Sequence, residues 1–186
     1  MEAFLVSLAT VAVAEMGDRT QLLVLVLAAH YRKPWPILAG ILGATLANHL
    51  AAGVIGAWFG RFLTPLVLDG TVGASMLAMA LWALRQDRLD QNGTMSRGVF
   101  LTTLVAFFLA EIGDKTQIAT IALAAGYQNL PAVVTGTTSG MLLANLPVVF
   151  LGRAFADRLP LQAMRYGGAA LFAAIGAVFL IRALGQ

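Results

Sequence analysis

Glu15-Met-Gly-Asp18-Arg19-Thr20-Gln21 and Glu111-Ile-Gly-Asp114-Lys115-Thr116-Gln117 are two copies of one polar phrase, each set inside an otherwise apolar stretch. Four of the nine acidic residues of the chain lie in these two phrases. Placing an ionised side chain at the centre of a membrane helix costs roughly 2.5–3.5 kcal/mol, so four of them imply a penalty of about 10 kcal/mol before any pairing. A chain does not carry such a burden twice for packing alone.

The surroundings of the motifs set the class. The 186 residues are 59% hydrophobic and 11% charged, with a mean hydropathy of +0.82. Soluble domains average about 45–50% apolar and about 25% charged, so the composition is that of an all-α integral membrane protein. There is no cysteine, which excludes disulfides, thiolate metal sites and a cysteine nucleophile. The net charge of +3 resides in short loops between apolar segments, where it sets topology; no nucleic-acid partner is expected. Met1–Glu15 carries Glu2 and no basic n-region, so the first segment is expected to be a retained helix and not a signal peptide.

A bilayer core about 30 Å thick takes about 20 apolar helical residues. Six segments meet that length, near 3–29, 36–59, 67–85, 98–125, 131–152 and 163–183. Tyr31, Trp35, Trp58, Trp82, Tyr127 and Tyr166 fall near their ends, as interfacial aromatics do. The halves repeat: Glu15 maps to Glu111 at an offset of 96, and Leu46-Ala-Asn48 maps to Leu143-Ala-Asn145 at 97. Three helices per copy is an odd number, so the copies must insert in opposite orientations. The expected fold is six transmembrane helices as a 3+3 inverted repeat, 1–90 and 91–186, forming a single membrane domain. Lys and Arg near helix ends favour the cytoplasm. Arg32, Lys33, Arg85, Arg88, Arg97, Arg153, Arg158 and Arg165 lie on one side, against Arg61 and Arg182 on the other. That bias puts both termini outside the cell membrane and the Arg85–Arg97 loop in the cytoplasm.

Read as continuous helices, the motifs put Glu15 and Asp18, and likewise Glu111 and Asp114, on neighbouring points of one face. Both pairs fall near mid-segment, so an inverted repeat brings four carboxylates toward one central point. Hard oxygen ligands of that kind suit Mn²⁺, Ca²⁺ or Mg²⁺. Arg19 and Lys115 each follow a Glu by four residues, the favourable order for an intrahelical pair. They balance charge by pairing with Glu15 and Glu111, an arrangement that would leave Asp18 and Asp114 unpaired. Gly17 and Gly113 permit either close helix contact, the leading expectation, or a local break. Thr20, Gln21, Thr116 and Gln117 offer neutral oxygens to an ion or bonds to neighbouring helices. Asn48 and Asn145, at matching positions of the second and fifth segments, have the same two options. Pro147 should kink the fifth segment. His49 has no counterpart, since Leu146 follows Asn145, so a metal-ligand role for it is the minor reading. His30 reads as a solvated residue at a helix end, and Met76, Met79 and Met141 as core or lipid-facing.

Two E-x-G-D-[KR]-[ST] motifs in the first and fourth of six membrane segments resemble the family of small cation/proton exchangers. That family includes Golgi and chloroplast manganese/calcium transporters and bacterial manganese exporters. The resemblance covers essentially the whole chain. It implies export of Mn²⁺, or exchange of Ca²⁺ or Mn²⁺ for H⁺, with Glu15, Asp18, Glu111 and Asp114 as the cation site, no permanently bound cofactor and no enzymatic activity. The central loop, although it contains Asp87 and Asp90, is basic overall, unlike the acidic loop of many eukaryotic members. Two other readings compete. A carboxylate cluster also attracts the ammonium group of an amino acid or small organic cation, and Asp18 with Asp114 could form the dyad of an intramembrane aspartyl hydrolase. The Glu and Gln duplicated with each Asp have no place in the second.

Cysteines introduced singly at Gln91 and Gln186 test the orientation. An impermeant thiol reagent on intact cells should label the Gln186→Cys protein and spare Gln91→Cys; the reverse pattern overturns the topology.

Overall fold

The computed structural model describes residues 1–84, 98–151 and 161–185. The expectations placed on Arg85, Asp87, Arg88, Asp90, Arg97, Arg153, Arg158 and the Arg85–Arg97 loop lie outside these residues, as do those on Gln91, Gln186 and the side chain of Arg165. The described residues form eight helices and no strand: α1 (Glu2–Glu15), α2 (Arg19–Tyr31), α3 (Pro34–Gly60), α4 (Pro65–Ala83), α5 (Val99–Glu111), α6 (Lys115–Tyr127), α7 (Leu130–Leu151) and α8 (Leu161–Leu184). Three of them, over Pro34–Gly60, Pro65–Trp82 and Leu130–Leu151, are long and apolar enough to cross a membrane; Val99–Glu111 and Ala169–Leu184 are shorter apolar stretches.

The expected first and fourth segments are each two helices. Met16 and Ile112 leave the helix with extended backbone at φ −63°, ψ 117° and φ −62°, ψ 122°. Gly17 and Gly113 follow at φ 79° and 71°, a region that costs a residue with a Cβ roughly 1–2 kcal/mol. Asp18 and Asp114 then start the next helix. The glycines therefore serve the break and not close packing, and Glu15 and Asp18 do not share one helix face. By contrast α7 stays helical through Pro147.

Matching chemistry ends the broken pairs. Arg32 and Gln128 take left-handed backbone at φ 52° and 51°, donating to the Ala28 and Ala124 carbonyls, and stop α2 and α6. Pro34 and Pro65 open α3 and α4 in the first turn, where a missing N–H costs nothing.

Small residues let the helices approach closely. Gly136 and Gly140 of α7 face the backbone of α1 at Phe4, Leu8 and Ala12; Gly40 of α3 faces α5 at Phe100 and Thr103; Gly56 and Gly60 face α6 at Ile121 and Ala125; and Gly73 faces Gly176 between α4 and α8. Without a hydrophobic drive between helices in lipid, such approaches are how dispersion and interhelical bonding hold a bundle. Glu2, Tyr127 and Arg182 meet at one end of the bundle. At another, Ala28, Arg32 and Pro34 share a cleft with Val149, Phe150 and Leu151.

Large apolar side chains point outward, among them Trp35, Trp58, Phe62, Leu81, Leu109, Phe150 and Ile181. Glu15, Asp18, Asn48, His49, Glu111, Asp114, Lys115 and Asn145 are buried. Met76, Met79 and Met141 are core residues, and His30 is exposed at the end of α2.

A Cβ at Gly56 would collide with the Ile121 carbonyl oxygen, whereas one at Gly70 meets nothing within 4 Å. Gly56→Ala should therefore cost about 1–3 kcal/mol, read as a fall of several degrees in the melting temperature of the purified protein. Gly70→Ala should melt as the parent does.

Candidate cation site

The two breaks meet in the interior. Helix ends expose backbone groups that have no partner within the helix, and here the motif's own side chains satisfy them. Gln21 Oε1 accepts from Gly17 N at 2.8 Å, and Gln117 Oε1 accepts from Gly113 N at 2.8 Å. The Asp18 and Asp114 amides donate to the Glu15 and Glu111 carbonyls, each at 3.1 Å. Asp18 Oδ1 also accepts from Arg19 N at 2.8 Å, capping α2. The duplicated Gln is thus a brace for the glycine turn, three residues into the following helix, much as a capping-box residue reaches back.

The breaks set functional groups at helix ends that face the interior: Glu15 and Glu111 close α1 and α5, while Asp18 and Asp114 open α2 and α6. Positive dipole ends favour the two aspartates. The charges pair across the halves. Arg19 Nη2 lies 3.0 Å from Asp114 Oδ1, and Lys115 Nζ lies 2.9 Å from Asp18 Oδ1. This replaces the expected pairs of Arg19 with Glu15 and Lys115 with Glu111, and Asp18 and Asp114 are the paired acids. The reason is the break: with the helix interrupted, the i to i+4 spacing no longer places Glu beside the base. Arg19 Nη2 donates in addition to the Ala110 carbonyl at 3.0 Å.

Carboxylate oxygens of Glu15, Asp18 and Asp114 lie within 4.8 Å of one another, all three residues buried. Thr20 Oγ1 donates to Glu15 Oε2 at 2.5 Å, and Thr116 Oγ1 contacts Asp114 Oδ2 at 3.5 Å. Glu15 Oε1 has no hydrogen-bond partner among the described residues. Three carboxylates face two fixed cations here, so with all three ionised the cluster holds one negative charge that Arg19 and Lys115 do not cancel.

Glu111 stands outside the group of three. Its two oxygens lack hydrogen-bond partners among the described residues, and Oε2 lies 3.8 Å from His49 Nε2. The remaining expected residues tie the site to the bundle. Gln21 Nε2 donates to the Ala144 carbonyl of α7 at 2.8 Å, and Asn48 Nδ2 to the Phe108 carbonyl of α5 at 3.1 Å. Asn145 Nδ2 turns back to the Met141 carbonyl of its own helix at 3.0 Å.

His49, which is not duplicated, is fully buried and faces Glu111, a placement that depends on how α3 packs and that no local sequence signal marks. The halves also differ in exposure, since the Lys115 side chain is 5% exposed and that of Arg19 35%. Losing one member of a buried pair costs about 3–5 kcal/mol, and an exposed one about 1 kcal/mol or less. Lys115→Gln should therefore lower the melting temperature more than Arg19→Gln. Adding Asp18→Asn to Lys115→Gln should recover much of the loss.

The sequence profile of the family described as "Divalent cation/proton antiporter GDT1" matches residues 3–91 and 99–186. The chain is 51% identical over 174 residues to a "Putative manganese exporter" of Vibrio cholerae serotype O1, covering 92% of this chain and 87% of that protein. It is 26% identical to a GDT1-like protein of Synechocystis sp., over 92% of this chain and 93% of the relative, and 27% identical to GDT1-like protein 4 of Oryza sativa subsp. indica, over 92% and 70%. No solved structure matches the chain. With both halves matched by the family profile, the chain belongs to the GDT1 family of divalent cation/proton antiporters and is a membrane transporter, not an enzyme.

Proposed function

We propose that this protein exports Mn²⁺ across the cell membrane in exchange for H⁺, binding the ion at Glu15, Asp18 and Asp114 with Glu111 as the fourth carboxylate. The observation that carries this reading is the buried meeting of three carboxylates within 4.8 Å, which when all ionised carry more negative charge than the two adjacent cations neutralise. A dehydrated divalent ion answers that excess in charge and in its demand for oxygen. The identity with the Vibrio cholerae relative supports Mn²⁺ as the cargo.

Coupling follows from competition. A carboxylate that binds a metal ion must release its proton, so ion and protons exclude each other at the same oxygens without a second binding site. An arriving ion also competes with Lys115 for Asp18 and with Arg19 for Asp114. The crossed pairs are then the groups that close the site when no ion is bound.

In this reading the six segments are a 3+3 inverted repeat, with α1/α2, α3 and α4 answering α5/α6, α7 and α8. Both termini lie outside and the central loop is cytoplasmic. The interrupted helices at the centre support it, because transporters bind cargo where such breaks face one another. The contact of Glu2 with Arg182 agrees with termini on one side. The unequal exposure of Arg19 and Lys115 fits a carrier resting with one access route more open than the other.

Purified protein in liposomes tests the reading. Mn²⁺ flux should follow an imposed pH gradient, reverse with it, and vanish with a protonophore when the membrane potential is clamped. Apparent Mn²⁺ affinity should fall as pH falls, because protons occupy the carboxylates. Asp18→Asn with Asp114→Asn should abolish flux in protein that still folds. Flux indifferent to the pH gradient overturns exchange, and full flux in the double variant moves the site elsewhere.

A further inference from the structure

We propose that His49 joins the fourth carboxylate, Glu111, to form a second divalent-cation position within the carrier's binding region, next to Glu15, Asp18 and Asp114, one that takes a transition-metal ion through an imidazole nitrogen and so discriminates against Ca²⁺ and Mg²⁺. The inference rests on the reading of this chain as a divalent-cation carrier and concerns how it selects its ion.

His49 is fully buried on α3, and neither ring nitrogen has a hydrogen-bond partner among the described residues. A structural histidine in a dry interior is held by at least one bond, because an unsatisfied buried polar group costs about 1–3 kcal/mol. Both oxygens of the facing Glu111, also fully buried, are equally without partners. The gap between Nε2 and Oε2 is 3.8 Å, too long for a hydrogen bond. Two donors that each sit about 2.0–2.5 Å from a shared ion stand roughly 3–4 Å apart, so this separation suits one metal ion held by both.

The donor set decides which ion. Ca²⁺ and Mg²⁺ take oxygen ligands, whereas a neutral imidazole is a ligand for transition metals. The carboxylates of Glu15, Asp18 and Asp114 make no such distinction. Glu111 closes α5 and Asp114 opens α6 across the same break, so the carboxylate that faces His49 belongs to the same interruption as the main cluster. Leu146 occupies the equivalent place in the other half, so the nitrogen donor belongs to one half only.

Pulsed EPR of Mn²⁺ bound to the purified full-length protein in nanodiscs reads the donor directly. The bound ion should show ¹⁴N coupling that becomes ¹⁵N coupling when the protein is labelled with ¹⁵N-histidine; this measurement needs no variant. The signal should persist in His30→Gln, whose site is exposed at the end of α2, and disappear in His49→Gln. In liposomes His49→Gln should raise the apparent KM for Mn²⁺ about tenfold and leave Ca²⁺ competition unchanged, narrowing the selectivity by the same factor. Bound Mn²⁺ without histidine coupling in the parent overturns the second site and leaves the carboxylate cluster standing. Binding of Ca²⁺ in preference to Mn²⁺ by the parent overturns it also. Failure of the parent to bind any divalent ion overturns both this inference and the carrier reading beneath it.

Discussion

Charge without water is the constraint on which this structure depends. Four carboxylates and two basic groups occupy an interior whose dielectric penalises each of them, and an ion pair there repays its desolvation only with close geometry and further hydrogen bonds. The chain meets that demand by interrupting two helices. A continuous helix would spread each motif along one face. The interruption turns Asp18 and Asp114 into helix starts, gives them dipole support and lets Lys115 and Arg19 reach them from the opposite half. Gln21 and Gln117, the two positive-φ glycines and the packing of α3 and α7 all hold that one arrangement.

Much of this was legible in the sequence, for identifiable reasons. Acidic residues in apolar segments are expensive enough that their duplication singles out the candidate cation residues, three of which the structure brings together. The offset between copies identified the corresponding residues, and the aromatic residues marked helix ends. The breaks were harder to read. Glycine in a membrane helix serves close contact as readily as a turn, and only the φ values of Gly17 and Gly113 separate the two. On a continuous helix, local spacing favours the pairs Glu15 with Arg19 and Glu111 with Lys115. The crossed pairs bridge 95 and 97 positions in the chain, which no local rule reaches. His49 carries little weight in the sequence for the opposite reason: a residue without a counterpart gains nothing from the repeat.

The division of labour among the polar residues follows from the same geometry. Thr20 touches a carboxylate, Gln21 and Asn48 bond to backbone carbonyls of neighbouring helices, and Asn145 bonds within its own helix. Asn48 and Asn145, at equivalent positions of the repeat, thus do different work. The shared motif builds the turn and the charge pairs, and the departures from symmetry, at His49, Asn145 and Pro147, are where the halves have specialised.

The crossing of the ion pairs bears on how such a chain arose. Arg19 contacts Asp114, while Lys115 contacts Asp18, so position 19 of one copy meets the aspartate of the other and the converse holds. This is the reciprocal pattern of an isologous contact between two like subunits. A single half, inserted alone, would bury a base and an aspartate without their mates. Two identical halves in opposed orientations would satisfy both at once. The pairing has the reciprocal form of a dimer interface within one polypeptide, and it couples the two motifs: a substitution at the acid of one half has its natural compensation at the base of the other.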